Sequence, residues 1–127
     1  MEQVVYDSGA LIAIDRRDDL SLRRHQRRIS EGDHIMVPAP VAAQVIRDPR
    51  RQARLMLTLQ SCDIVPFGQE DIGPVGKLLA LSGTSDVVDG FVAVTAAGNG
   101  ATVVTSDLDD ISRLLHVIGV RVPVLKA

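Results

Sequence analysis

The stretch Gln3-Val4-Val5-Tyr6-Asp7-Ser8-Gly9-Ala10-Leu11-Ile12-Ala13-Ile14 decides how the rest of the chain is read. Its apolar run starts close to the N-terminus, is cut by Asp7-Ser8-Gly9 and resumes at helical spacing, the pattern of a buried strand feeding directly into a helix. Asp7 then stands at the carboxyl end of that strand. In parallel α/β sheets ligands bind along that edge, so a carboxylate there is a candidate site residue. Asp7 or Ser8 equally suits the helix N-cap, where a side-chain oxygen accepts from a free backbone amide. What weighs between the two is where the other acids fall.

A second acidic segment follows the turn Ser82-Gly83-Thr84-Ser85, where residues 86–97 read as a helix closed by Gly98-Asn99-Gly100. Asp86 and Asp89 share one face of its first turn, and the remainder, Phe91 to Ala97, is apolar nearly all round, as in a helix buried inside a protein. Asp86 is explained as a first-turn acid favoured by the helix dipole. Asp89 lies deeper, and no basic residue occurs between Lys77 and Arg113 to pair with it locally. A buried unpaired carboxylate is costly, so a cation or a distant arginine must compensate it. The third segment, Ala101 to Asp110, is a β-branched run that ends in acids, with Asp107 at the strand exit and Asp109 and Asp110 opening a helix through His116.

Between these segments the chain alternates. Helices are expected over 18–31, from Pro40 through Ile46, over 50–60 and over 69–81, the last interrupted near its start by Gly73-Pro74; strands are expected at 34–37, 63–66 and, after Gly119, at 120–124. Alternating strands and helices argue for a three-layer α/β/α sandwich around a central parallel sheet. At 127 residues, without internal repeat or linker, the expectation is one domain spanning 1–127. Its strand ends share one edge, where Asp7, Asp107 and the start of the 86–97 helix can meet. Carboxylates gathered there repel one another unless a hard divalent cation, Mg²⁺ or Mn²⁺, sits between them.

The net charge of −2 hides an asymmetry: residues 16–54 carry ten arginines against five acids, which leaves −7 on everything else. Acids to hold a divalent ion and arginines to hold phosphates is a division that suits an enzyme acting on a polyanion. Arg23, Arg24, Arg27 and Arg28 also fit the solvated face of a helix. Cys62 is the only cysteine, no apolar stretch approaches the ~20 residues of a membrane span, and no basic residue precedes Arg16 to mark a signal peptide, so a cytoplasmic protein is expected. His25, His34 and His116 have no ligand spacing and read as structural.

With its three acidic motifs in this order, Val5-Tyr6-Asp7-Ser8-Gly9-Ala10-Leu11, Ser85-Asp86-Val87-Val88-Asp89-Gly90-Phe91-Val92-Ala93 and Val104-Thr105-Ser106-Asp107-Leu108-Asp109-Asp110, the chain resembles a PIN-domain ribonuclease, and within that family the VapC toxins of bacterial toxin–antitoxin systems. The resemblance implies a PIN-like fold and a metal-dependent endoribonuclease in which Asp7, Asp89 and Asp107 are the metal-site acids, helped by Asp86 and Asp110 and supported by hydrogen bonds from Ser8 and Thr105. It also implies a homodimer silenced by a cognate VapB-like antitoxin; the amphipathic segments 18–31 and 50–60 are candidates to form a groove for it. Arg16, Arg17, Arg47, Arg50 and Arg51 are expected to track the RNA backbone.

One departure stands out: where the family usually carries a glutamate after the second strand, this sequence has Gln44. Its amide oxygen can reach an ion or its water but brings no charge, so it is at most a weak ligand. The competing reading is a non-catalytic PIN-like domain that binds RNA or protein through a degraded acidic site. A haloacid-dehalogenase-like phosphotransferase requires a second acid where Gly9 stands, and a receiver-type phosphoacceptor requires a lysine that neither Lys77 nor Lys126 supplies.

Overall fold

The computed structural model describes residues 1–127. Its first strand, β1 (Gln3–Tyr6), pairs in parallel with β2 (His34–Pro38) on one side; on its other side lies the strand over residues Thr102–Thr105. β3 (Asp63–Val65) extends the sheet beyond β2; with Thr102–Thr105 as β4, β5 (Val124–Lys126) closes the far edge, giving the order β3-β2-β1-β4-β5, parallel throughout. Val4, Val5 and Tyr6 are all buried, as a central strand covered on both faces requires.

Connection handedness distributes the helices. Helices α1 (Ser8–Asp15), α2 (Asp19–Ser30), α3 (Ala39–Val45) and α4 (Ala53–Gln60) connect β1 to β2 and β2 to β3, stepping one way along the sheet. Helices α5 (Gln69–Ser82), α6 (Val87–Asn99) and α7 (Leu108–Ile118) belong to the connections that step back to β4 and on to β5. Right-handed crossovers in opposite directions put the two sets on opposite faces. The packing agrees: α1 contacts α2, α3 and α4, whereas α5, α6 and α7 contact one another. The expected three-layer sandwich is the observed architecture, with apolar α6 lying on β1 and β2.

Three elements differ from expectation. The last strand is Val124–Lys126 rather than 120–124, because Pro123 has no N–H to donate to the ladder; it contributes only its carbonyl, which accepts from Val103 N at 2.9 Å. The helix expected from Arg50 begins at Ala53, after a 3₁₀ turn over Pro49–Arg51 capped by Asp48. The Gly73-Pro74 pair does not interrupt α5, which runs through it unbroken.

A polar chain, buried at its Tyr6–His25 link, ties the α2–α4 layer to the sheet. Ser61 Oγ donates to the Thr58 carbonyl at 2.6 Å, so it must accept from His25 Nε2 at 2.8 Å. His25 Nδ1 is then left as an acceptor and takes the Tyr6 hydroxyl proton at 2.8 Å, while Arg28 donates to the Tyr6 oxygen at 3.1 Å. This assignment needs a neutral imidazole, and burial together with the Arg28 charge holds the His25 pKa below its usual value. His25 is therefore structural, as its sequence context indicates. Replacing Tyr6 by Phe leaves Nδ1 buried without a partner, and is expected to cost about 1–3 kcal/mol in urea denaturation; an unchanged midpoint would contradict the assigned proton directions.

Candidate metal centre

The connections from β1 and from β4 depart in opposite directions, so the crevice beyond the carboxyl ends of these two strands is the switch point of the sheet. Register pairs Tyr6 with Val104, which sets Asp7 beside Thr105. Asp7 is only 4% exposed, and both its oxygens accept hydrogen bonds: Oδ1 from Ser8 N at 2.7 Å, Oδ2 from the Thr105 hydroxyl at 2.9 Å. Thr105 Oγ1 itself accepts from Asp107 N at 2.9 Å, so its single proton is committed to Asp7. Asp7 is thus the N-cap of α1 and at the same time a buried acceptor facing the crevice. Ser8 contributes its backbone N–H to this arrangement.

Asp86 is the N-cap of α6 rather than a residue of its first turn, and its Oδ1 accepts from Asp89 N at 3.0 Å. That bond fixes the start of the helix and sets the half-buried Asp89 over the crevice. Side-chain oxygens of Asp89, Asp107 and Asp110 all lie within 4.8 Å of one another. Burial pushes the Asp89 carboxyl up to about 7, reinforced by the negative charges of Asp86, Asp7, Asp107 and Asp110. Asp107 is also raised, by desolvation and then by the hydrogen bond and charge of Asp110. None of the four ion pairs in the chain involves any of these acids. The distant arginine that Asp89 called for on sequence grounds does not pair with it.

Gly9 is a residue the sequence reading passed over. A Cβ there would stand 2.2 Å from Ser106 Oγ and 2.7 Å from Ser106 N, so the first turn of α1 touches the backbone leaving β4. Any side chain would push the 105–107 segment away and separate Asp107 from Asp7. Its signal was a glycine in an apolar helical turn, where alanine is the better helix former.

Gln44 is exposed and lines a different cleft, of about 400 Å³, with Ile12, Asp15, Gln52 and the arginines Arg16, Arg47 and Arg51. Arg16 caps the C-terminal end of α1, about 12 Å down the helix from the Asp7 edge at 1.5 Å per residue. Arg17 is exposed with φ of 63°, and Arg50 is exposed in the 3₁₀ turn. The structure therefore gathers the acids at the sheet edge and three of the five candidate arginines, with Gln44, along the flank of α1.

The PIN-domain family model matches residues 4–115. The chain belongs to the PIN-domain family. No curated protein matches it in sequence. Among solved structures, this PIN domain is similar to one in the Rickettsia felis VapBC2 complex bound to a promoter DNA fragment, with TM-score 0.72 and 16% identity over 98% of both chains. It is also similar to one in FitAcB from Neisseria gonorrhoeae (0.67, 16%, covering 96% of each chain) and to PAE2754 from Pyrobaculum aerophilum (0.62, 14%, covering 94% of this chain and 98% of that one). At such identities the likeness is one of fold.

The acid cluster fits a hard divalent ion: the donors are carboxylate oxygens, no arginine or lysine neutralises them, and one is held half-buried against its neighbours' charge. Asp89 has a pKa raised by folding, so its contribution favours the fold below the ordinary carboxylate range and is lost as pH rises through about 7. Asp89→Asn is thus expected to raise the Tm of metal-free protein at pH 8, and by a smaller margin at pH 5. Added Mg²⁺ should close the gap by stabilising the unsubstituted protein alone. Equal melting of the two proteins at pH 8 would contradict the electrostatic reading.

Proposed function

We propose that this PIN domain is a divalent-metal-dependent endoribonuclease, the toxin of a toxin–antitoxin pair, that hydrolyses RNA phosphodiester bonds. The observation that carries the reading is the cluster of Asp89, Asp107 and Asp110 at the switch point, beside buried Asp7 and without a cationic partner. Family membership supports a nuclease, and the fold shared with the VapBC2 and FitAcB chains supports the toxin assignment.

In this reading Asp89, Asp107 and Asp110 would hold Mg²⁺ or Mn²⁺, with the Asp7 charge acting on the same cluster. Bound there, the ion supplies Lewis acidity toward the phosphoryl group and a water of lowered pKa. The chain's own part is positional. Thr105 holds Asp7 and Asp107 at a fixed separation, Asp86 fixes the start of α6, and Gly9 admits the β4 exit against α1. Arg16, Arg47 and Arg51, with exposed Arg17 and Arg50, offer a basic track for the RNA backbone that leads along α1 toward the acids. Gln44 lies on that track as an uncharged amide beside Arg51, which pairs with Asp48 at 3.6 Å, and Arg47, whose guanidinium donates to the Ala43 and Ile46 carbonyls. With Tyr6 and Phe91 buried, base stacking contributes little to the choice of RNA, and RNA shape is left to decide it.

The antitoxin reading is supported by an open cleft of about 530 Å³ between α2 and α4, walled by Leu22, Ile29 and Leu57. Arg54 lines it too, its Nη1 without a hydrogen bond but 3.7 Å from Asp19 Oδ1, in an ion pair. A cleft between α5, α6 and α7, with exposed Leu81 at its rim, is where a second copy of the chain would dock in a homodimer. No helix is long and apolar enough to cross a membrane, and the cytoplasm, where RNA is at hand, is the compartment this function requires.

The test is incubation of purified, antitoxin-free protein with total cellular RNA in Mg²⁺ or Mn²⁺ against chelator, with Asp89→Asn alongside. Discrete cuts that disappear with chelator and in the variant are expected. Intact RNA with either metal, from folded protein, would contradict the enzyme and favour the RNA- or protein-binding domain that Gln44 suggested.

A further inference from the structure

Next to the acid cluster lies a small cavity of about 60 Å³ whose lining combines opposite charges, Asp89 and Asp110 with Arg113, together with Thr84 and Leu114. Arg113 is three residues after Asp110 on α7, so the two side chains leave the same face of the helix. Yet Arg113 makes no ion pair with either acid within 4.0 Å. Its Nη2 instead donates to the Ser82 carbonyl, one of the free carbonyls at the end of α5, just before the left-handed Gly83 cap. A guanidinium at a helix C-terminus sits at the negative end of the dipole, which holds it in place. The remaining N–H groups of the fork are left for other acceptors.

Charge decides what that acceptor is. Asp89, Asp107 and Asp110 with one divalent ion are still net negative, and Asp7 adds to this. An RNA phosphodiester is itself an anion and would be repelled from such a site. Arg113 is the only cation lining the cavity that adjoins it, and it is not spent on the carboxylates. At about 60 Å³ the cavity is on the scale of phosphate oxygens and too small for a nucleotide.

We propose that Arg113 is the phosphate-binding residue of this site: its guanidinium, anchored on the Ser82 carbonyl, takes a non-bridging oxygen of the phosphodiester that the ion-bearing acids face. The proposal rests on the nuclease reading for its substrate. Anchored donors aimed at phosphoryl oxygens stabilise the charge that builds there during transfer, and cost no reorganisation when it does. Arg113 thereby supplies the positive charge that the acidic half of the chain otherwise lacks at its centre.

Two variants separate this role from a purely structural one. Arg113→Gln removes the charge and keeps only a shorter, neutral amide donor; Arg113→Lys keeps the charge and loses the fork. The first readout is independent of cleavage: inorganic phosphate is titrated against Mn²⁺-loaded protein and followed by paramagnetic broadening of its ³¹P resonance. Arg113→Gln is expected to weaken phosphate binding about tenfold or more and to lower the rate of cellular RNA cleavage about a hundredfold, the scale of one lost transition-state donor. Arg113→Lys should recover part of both losses, with Tm and Mn²⁺ affinity unchanged in either variant. Unaltered phosphate affinity in Arg113→Gln overturns the proposal. So does a loss of Tm or of Mn²⁺ affinity large enough to account for the lost activity. If the unsubstituted protein cuts no RNA, the nuclease reading falls, while the phosphate titration still decides whether Arg113 binds the anion.

Discussion

The Thr105 hydroxyl accepts the Asp107 amide proton and gives its own to Asp7, and through that one side chain the ends of β1 and β4 are held in a fixed relation. Thr105 is fully buried, so the bond competes with no water. Around it, the Gly9 contact with Ser106 lets α1 start directly against the β4 exit, and the Asp86 cap starts α6 beside them. Three strand-to-helix or helix-start junctions therefore converge on a crevice lined with carboxylates. Their mutual repulsion works against folding, and the large apolar core formed between the two helical layers and the sheet offsets it. A site that is electrostatically strained in its free state and relieved by a cation is what a metal-binding enzyme of this fold needs.

Under the proposed function, the opposite charges of the two halves of the chain serve different parts of one polyanion. The C-terminal cap of α1, the 3₁₀ turn and the residues beside them carry arginines along one flank; the exit of β4, α6 and α7 carry acids at the edge. Arg113 is the exception that joins the two, a cation placed within the acidic half and anchored to a backbone carbonyl instead of to a carboxylate. Had it paired with Asp89, the cluster would be neutralised from within and its demand for an ion weakened.

Much of this was legible in the sequence because periodicity and the placing of acids report on the backbone. The buried run of β1, the all-apolar α6 and the β-branched β4 each follow from burial on both faces, and the acids that close them fall where a parallel sheet puts its binding edge. The elements that went unread depend on contacts distant in sequence. Gly9 matters because of Ser106, the Tyr6–His25–Ser61 chain joins three elements, and Arg113 acquires its place only when α7 packs against the end of α5. The shift of the last strand to Val124–Lys126 is different in kind. Pro123 was visible, and its missing N–H should have moved the start of the strand past it. Gln44 was noticed for the charge it lacks; its place among arginines on the flank of α1 follows from how α1 and α3 pack.

Whether the crevice is a carboxylate cluster organised for a divalent cation is decided by calorimetric titration of Mn²⁺ in buffers of differing ionisation enthalpy, which counts protons released per ion bound. With the Asp89 carboxyl pushed up to about 7, binding must expel its proton at low pH. Release of about one proton per ion is expected at pH 6, falling toward none at pH 8.5, with a smaller release at pH 6 from Asp89→Asn. Absence of Mn²⁺ binding, or binding at pH 6 without proton release, would contradict that organisation.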